Sequence, residues 1–395
     1  MKYTVKLAVA AAIALSSTAA FATNGDTMIG VGAKAIGMGG VGIGLSHGAE
    51  SALLNPAMIT GVEGTEISFG GTLFMPNVKS NAFGAAESTS DAKMSMVPTL
   101  AIAQKASDNF YWGIGMYGVA GMGTDYRNAA GGNNASMVTN LQLMQFVVPL
   151  AYKTNGFSMG IAPIIQYGSL DINYDTTGMP GGGASATKGV AQDFGVGYNL
   201  GVAYEVSNVT LGASYKSAID MKYNGQISVA ASQFSGGALV LSDNLEQPAE
   251  MGLGVSYKMG QHTIAADYKQ IKWSSAKGYQ DFKWSDQNVY MIGYQFMQDN
   301  WALRAGYNYA KSPIKDQGTA GFGGLINTFN LLGFPAIIES HYTIGGSYAF
   351  TKQTSLDLAY VYSPEKTEAF GNMMGGTITT KHSQNAATAQ LNFKF

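Results

Sequence analysis

The sequence contains no cysteine, so it can build neither a disulfide framework nor a thiolate metal site. Charge is sparse: Asp, Glu, Lys and Arg make up 12% of its 395 residues, about half the usual share in soluble domains. The charges nearly cancel, with 25 acidic against 23 basic residues. That balance points to no polyanionic partner such as nucleic acid. Histidine is scarce too, and none of the four lies near a Gly-x-Ser-x-Gly elbow. Hydrolysis by a nucleophile, a base and an orienting group needs more than this. Neither enzymatic activity, a cofactor nor a bound metal is expected. Past residue 22 no apolar run reaches about 18 residues, which excludes a transmembrane helix.

Residues 1–22 hold the one compact apolar stretch. Lys2 and Lys6 lead into LAVAAAIALSS, and Ala20-Phe21-Ala22 supplies a small-x-small cleavage site. This reads as a secretory signal peptide, so the mature chain is expected to start near Thr23. Losing it moves the formal charge from −2 to −4.

What remains is rich in glycine (52) and tyrosine (22). It also alternates. In NAATAQLNFKF, Ala387, Ala389, Leu391, Phe393 and Phe395 are apolar, and Thr388, Gln390, Asn392 and Lys394 between them are polar. A period of two over that length is a strand with one dry and one wet face. FGVGYNLGVAYE, NWALRAGYNYA and TSLDLAYVY repeat the pattern. Fourteen such segments can be placed, near 64–76, 94–104, 110–120, 140–152, 156–174, 192–205, 208–223, 248–258, 261–273, 287–297, 300–310, 340–350, 354–363 and 385–395. Pro98 and Pro149 interrupt two of them. On this layout His262 and His341 flank strand ends, and His382 lies in a loop.

Short connections (SDN, TNG, SN, MG, QDN, TKQ) alternate with long ones. A soluble sandwich has no reason to gather its long loops at one end. An outer-membrane barrel does, with short periplasmic turns and long external loops. Lipid also requires closure, since it offers no partner to an open sheet edge. The expected fold is therefore all-β: a 14-stranded antiparallel transmembrane β-barrel over residues 64–395. Trp112, Trp273 and Trp301 are expected in its interfacial girdles. Terminal Phe395 fits the signal read by the barrel-assembly machinery, and a self-contained barrel is expected to be a monomer in outer-membrane lipid.

Residues 23–63 do not alternate. They include Gly37-x-Gly39-x-x-Gly42, the spacing of a dinucleotide loop, but no strand–helix unit surrounds it. Small residues also let a chain fold compactly inside a narrow lumen, so the segment is expected to be an N-terminal hatch (plug). The glycine-rich start with Asn55-Pro56-Ala57, together with QPAEMGLGVSYKMGQHTIAADYKQIKWS, DNWALRAGYNYAKSPI, HYTIGGSYAF and YNLGVAYEVSNVTLGASYKS, resembles the outer-membrane long-chain fatty-acid and hydrocarbon transporters of the FadL type. HGAES precedes the Asn-Pro-Ala, with Glu50 its only acid, where the family often has an acidic pair.

The resemblance implies a lumen-filling hatch, hydrophobic small molecules as cargo, and sideways release through the wall. Long-chain fatty acids are the expected cargo. Alkane or aromatic uptake on the same fold and a general hydrophilic porin are the alternatives, and an adhesin or phage receptor would suit any barrel. In YWGIGMYGVAGMG the alternation slips amid glycines, which marks a bulge in strand three. Asn55, Pro56 and Ala57 are expected to pack against this kink at Gly115 and Gly118 as a lateral gate. Leu325, Ile326, Phe329, Leu331, Leu332 and Phe334 crowd one long loop, either as an apolar capture surface or as a mini-core of its own. Lys216, Lys258, Lys269 and Arg304 fall on the inward phase. Arg304 is the candidate for a carboxylate head group, because a guanidinium pairs carboxylates bidentately.

Overall fold

The computed structural model describes residues 24–84, 86–129, 134–177, 183, 185–186 and 189–395; the signal peptide lies outside the described residues. Alternation becomes wall. The fourteen crossings are β1 (Thr65–Asn81), β2 (Ser95–Lys105), β3 (Phe110–Asp125), β4 (Val138–Val147 and, past Pro149, Leu150–Thr154), β5 (Phe157–Asp175), β6 (Ala191–Val206), β7 (Val209–Lys216), β8 (Glu250–Met259), β9 (His262–Ile271), β10 (Gln287–Gln298), β11 (Trp301–Ala310), β12 (Ser340–Ala349), β13 (Thr354–Gly371) and β14 (Thr377–Lys394). Each pairs antiparallel with the next, and β1 pairs with β14 from Glu66↔Lys394 to Asn81↔Thr379, which closes the barrel. Along β6, Phe194, Val196, Tyr198, Leu200, Val202 and Tyr204 are all exposed on the outer face. On β14 the polar Thr388, Gln390 and Asn392 are buried toward the lumen.

Three expectations need correction. β13 and β14 do not stop at 363 and 385. They continue as a ladder from Lys366↔His382 to Gly371↔Thr377 beyond a bulge at Ser363/Lys366. Above the lipid a hairpin needs no apolar outer face, so its sequence loses the signal. His382 is therefore a buried strand residue, not a loop residue, and His341 is buried as well, with Nε2 2.9 Å from Gln384 Nε2. Trp273 is not in a girdle. It is fully buried, its ring edge-on to Tyr279 and Trp284 in a core at the end of the barrel where the long loops gather.

Residues 24–63 add no strand to the wall. They form helix α1 (Ala33–Gly37) and two 3-10 turns, Gly48–Leu53 and Pro56–Gly61. Most of their side chains are buried, and their contacts reach strands all around the barrel. They fill the lumen.

Candidate functional site

An irregular segment inside a barrel must find partners for its backbone groups, and here the wall provides them. Asp267 on β9 accepts from the amides of Gly42 and Ile43 at 2.7 and 2.8 Å. The glycine loop does cradle an anion, and that anion is a carboxylate of the wall. Thr343 accepts from Gly39 N at 2.9 Å, Gln390 accepts from Ala33 N at 3.1 Å, and Ser256 donates to Gly44 O at 2.7 Å. The glycines are there for clearance. A Cβ on Gly39, whose φ is +75°, would lie 2.8 Å from the Tyr307 backbone. One on Gly44 would lie 2.6 Å from Gly254.

Asn55 caps the second 3-10 turn: its Oδ1 accepts from Ala57 N at 3.0 Å, with Pro56 at the first position. Its amide donates to Ile43 O at 2.8 Å and to the wall carbonyls of Val202 and Ala213 at 3.2 and 3.4 Å. A Cβ on Gly160 of β5 would sit 2.6 Å from Ala57 N, and Gly201 of β6 faces Asn55 and Pro56. The structure thus seats Asn55, Pro56 and Ala57 on β5, β6 and β7. It does not bring them to Gly115 and Gly118, whose nearest neighbours are Tyr117 and Val97 with Pro98. The motif binds where two wall glycines make room, and the kink offers no such seat.

The kink itself is present. β3 pairs with β2 only from Lys105↔Tyr111 to Thr99↔Tyr117, and its register to β4 slips between Gly118 and Ala120. From Gly115 to Asp125 all of β3 except half-buried Gly118 is buried on both faces, unlike a wall strand in lipid. The seam shuts again higher up, where Asp91 N donates to Asp125 O at 2.7 Å. The seven residues between span roughly 20 Å at the rise of a strand. Asn24–Met28 stands in for the missing neighbour. Thr27 bridges Ala120, Met28 N donates to Val119 O and Gly121 N to Asp26 O, both at 3.0 Å. Asp26 is held in turn by Tyr279 at 2.5 Å and Gln247 at 3.1 Å, and burial raises its carboxyl above the usual range.

Toward the end with the short turns, charges gather under α1. Lys34 lies 3.7 Å from both Glu66 and Asp357, and Gln390 donates to Glu50. Burial pushes the Glu50 carboxyl up to about 7, against the pull of Lys34. Arg304 does face inward, but its guanidinium donates to Gln295 at 2.7 Å and to Ser347 at 2.5 Å, and stands 4.0 Å from Asp357. It is occupied by the wall.

At the other end the loop 311–339 folds inward, through helix α3 (Gly323–Thr328; the earlier helix α2, Ile227–Phe234, packs beside it) and a π-turn, Phe329–Gly333. Leu325, Ile326, Phe329, Leu331, Leu332 and Phe334 are all buried. They form no open capture surface. Inward threonines draw the loop down, as Thr124 donates to Leu332 O at 2.8 Å and Thr380 to Leu331 O at 2.9 Å. Phe329 then packs on Phe234, centroids 5.1 Å apart. Between this lid and the N-terminal segment lies a cavity of about 40 Å³, lined by Met28, Val31, Leu54, Val119, Met251 and the chain Lys216–Glu250–Lys269. The lysines follow from strand parity. Asp267 and Glu250, which orient the segment and the lysines, carry no motif and were missed. Lys258, placed inward by the same parity, is exposed beside a turn.

Fold comparison places the chain beside the Pseudomonas aeruginosa FadL homologue (TM-score 0.72, 16% identity, 94% of this chain and 100% of that one covered). The P. putida toluene transporter TodX (0.69, 20%, 93% and 99%) and the Ralstonia pickettii toluene transporter TbuX (0.63, 19%, 93% and 98%) are similar too. Comparison with curated proteins returns no match. The sequence profile of one family, outer membrane protein transport protein (OMPP1/FadL/TodX), matches residues 7–395, and with the fold it shows that this chain belongs to that family of outer-membrane transporters.

Proposed function

We propose that this protein takes up hydrophobic compounds, long-chain fatty acids first among them, and releases them sideways into the membrane through the gap beside β3. The carrying observation is that gap: a wall strand buried on both faces, parted from its neighbour and covered only by Asn24–Met28. An acyl chain of sixteen carbons favours apolar surroundings by about 12 kcal/mol, at ~0.8 kcal/mol per methylene. Its route must stay dry, and an aqueous pore would not serve. The segment filling the lumen, read as a hatch, argues against a hydrophilic porin. Uptake of aromatic hydrocarbons is the second reading, favoured by the likeness to two toluene transporters. We assign no head-group role to Arg304, whose donors are engaged. The closed ladder leaves no edge for a second copy, which supports a monomer. Phe395, exposed and tied to Thr65 by paired backbone bonds of 2.9 and 3.1 Å, is our candidate contact for the assembly machinery.

The test is a lock on the gap. Thr27 and Ala120 form the non-hydrogen-bonded kind of antiparallel pair, whose close Cα spacing suits a disulfide. The chain has no other cysteine to compete. In the double variant T27C/A120C, oxidation should abolish uptake of an eighteen-carbon fatty acid and reductant should restore it. Equal uptake with the crosslink formed would overturn lateral release.

A further inference from the structure

The lumen carries three inward cations that matter to a ligand, and they are not equivalent. Arg304 is spent on the wall, as described. Lys216 and Lys269, on β7 and β9, share a single anion: Lys216 pairs with Oε1 of Glu250, and Lys269 with Oε2 at 2.8 Å. Among the described residues no other anion lies within 4.0 Å of either ammonium. Two further carboxylates are close by, and both are taken. Asp267 accepts the amides of Gly42 and Ile43, and Asp26 accepts from Tyr279 and Gln247. The trio therefore holds one positive charge more than it neutralises, and each ammonium has three donors to place. All three side chains are about nine-tenths buried. Burying an unbalanced charge is costly unless something pairs with it.

The trio also lines the cavity of about 40 Å³. The remaining walls are apolar, among them Met28, Val31, Leu54 and Met251, and Val119 at the β3 bulge borders the same space. A charged corner in a dry pocket beside the gap is the shape of a site for an amphiphile: its anionic head on the lysines, its tail toward β3. The volume holds a head group, and a longer tail requires Thr27–Val31 to move aside.

We propose that Lys216 and Lys269 bind the carboxylate of the transported molecule, so that this protein selects anionic amphiphiles over neutral hydrocarbons of equal length. The proposal rests on the uptake reading above and narrows it to one ligand class. Glu250 sets the strength by cancelling one of the two charges. Removing a lysine leaves the trio neutral, and removing Glu250 leaves it doubly positive.

The experiment compares an eighteen-carbon fatty acid with its matching alcohol on the whole protein in detergent, by calorimetry. The wild type should prefer the acid by about ten- to hundred-fold, the worth of a charge-assisted hydrogen bond. K216M and K269M should each bring that ratio toward one, and E250Q should raise it, with alcohol affinity unchanged in all three. Because the ratio cancels any general loosening of the barrel, and E250Q moves it the opposite way, a folding defect cannot imitate the result. Equal binding of acid and alcohol by the wild type, or ratios that ignore the substitutions, would overturn the head-group site and leave uptake standing. Binding of neither ligand would sink both readings.

Discussion

Replacing Asp267 by alanine should release the glycine loop from the wall. The carboxylate accepts two buried amides, from Gly42 at 2.7 Å and Ile43 at 2.8 Å. Hydrogen bonds to a charged acceptor contribute about 1.5–3 kcal/mol each, so the loss is roughly 3–6 kcal/mol. None of that is drawn from the wall, whose ladder runs between neighbouring strands on either side. The effect should be local. At about 1.4 kcal/mol per decade, amide exchange at residues 36–44 should quicken by roughly 10²- to 10⁴-fold, while exchange in β8, β9 and β10 stays as it was. D267N keeps one carbonyl oxygen as a neutral acceptor and should fall between the two. Hydrogen exchange with mass spectrometry, in detergent and then in lipid, reads both regions at once. Unchanged protection of Gly42 and Ile43 in D267A would refute the claim that the wall carboxylate holds this loop. Equal loss in the strands would refute its independence from the wall.

Two further outcomes concern other anchors of the same segment. Glu50 titrates near 7 when buried, against an ordinary value of 4.5. Between those values the folded state holds a proton that the unfolded state has lost, so stability falls as pH rises from about 4.5 to 7, by on the order of 3 kcal/mol. Protection of residues 48–53, corrected for intrinsic exchange, should therefore be greater at pH 5 than at pH 8, and E50Q should flatten the difference; a steeper profile in E50Q would contradict this. Asn55→Ala removes a cap and the only side-chain donor to Ile43 O among the described residues. It should loosen residues 55–61 by roughly 2–4 kcal/mol, measured as faster cleavage there by an added protease, with wild-type cleavage rates counting against it.

How much of this was legible depended on whether a residue faces lipid. β6 and the membrane half of β14 announce themselves because lipid demands apolar residues at every second position, as from Phe194 to Tyr204. Where that demand ends, so does the signal: residues 364–384 continue the same strands with polar residues on both faces and read as loop. Lumen-facing positions obey a weaker rule. They must match the shape and spare hydrogen bonds of one particular irregular segment, which no period encodes. Strand parity put Arg304, Lys216 and Lys269 inside, but could not show that Arg304 meets Asp357 and Ser347. The slip at Val119 was visible as broken alternation among glycines. Its partner was not, since Asn24–Met28 is an edge strand with neither alternation nor length. The loop 311–339 misled in an instructive way. Its apolar content is real, and inward threonines on β3 and β14 turn it from an outer surface into a lid.

The seam of the barrel joins β1 to β14, so the wall is completed only when the final residues of the chain arrive. Yet its contents lie ahead of β1 in sequence and lean on β9, β11, β12 and β14. Most of those supports do not exist until synthesis is nearly over. Sealing the cylinder and settling its filling should thus be a single late event, in which an early stretch of chain waits, unpartnered, for walls not yet raised.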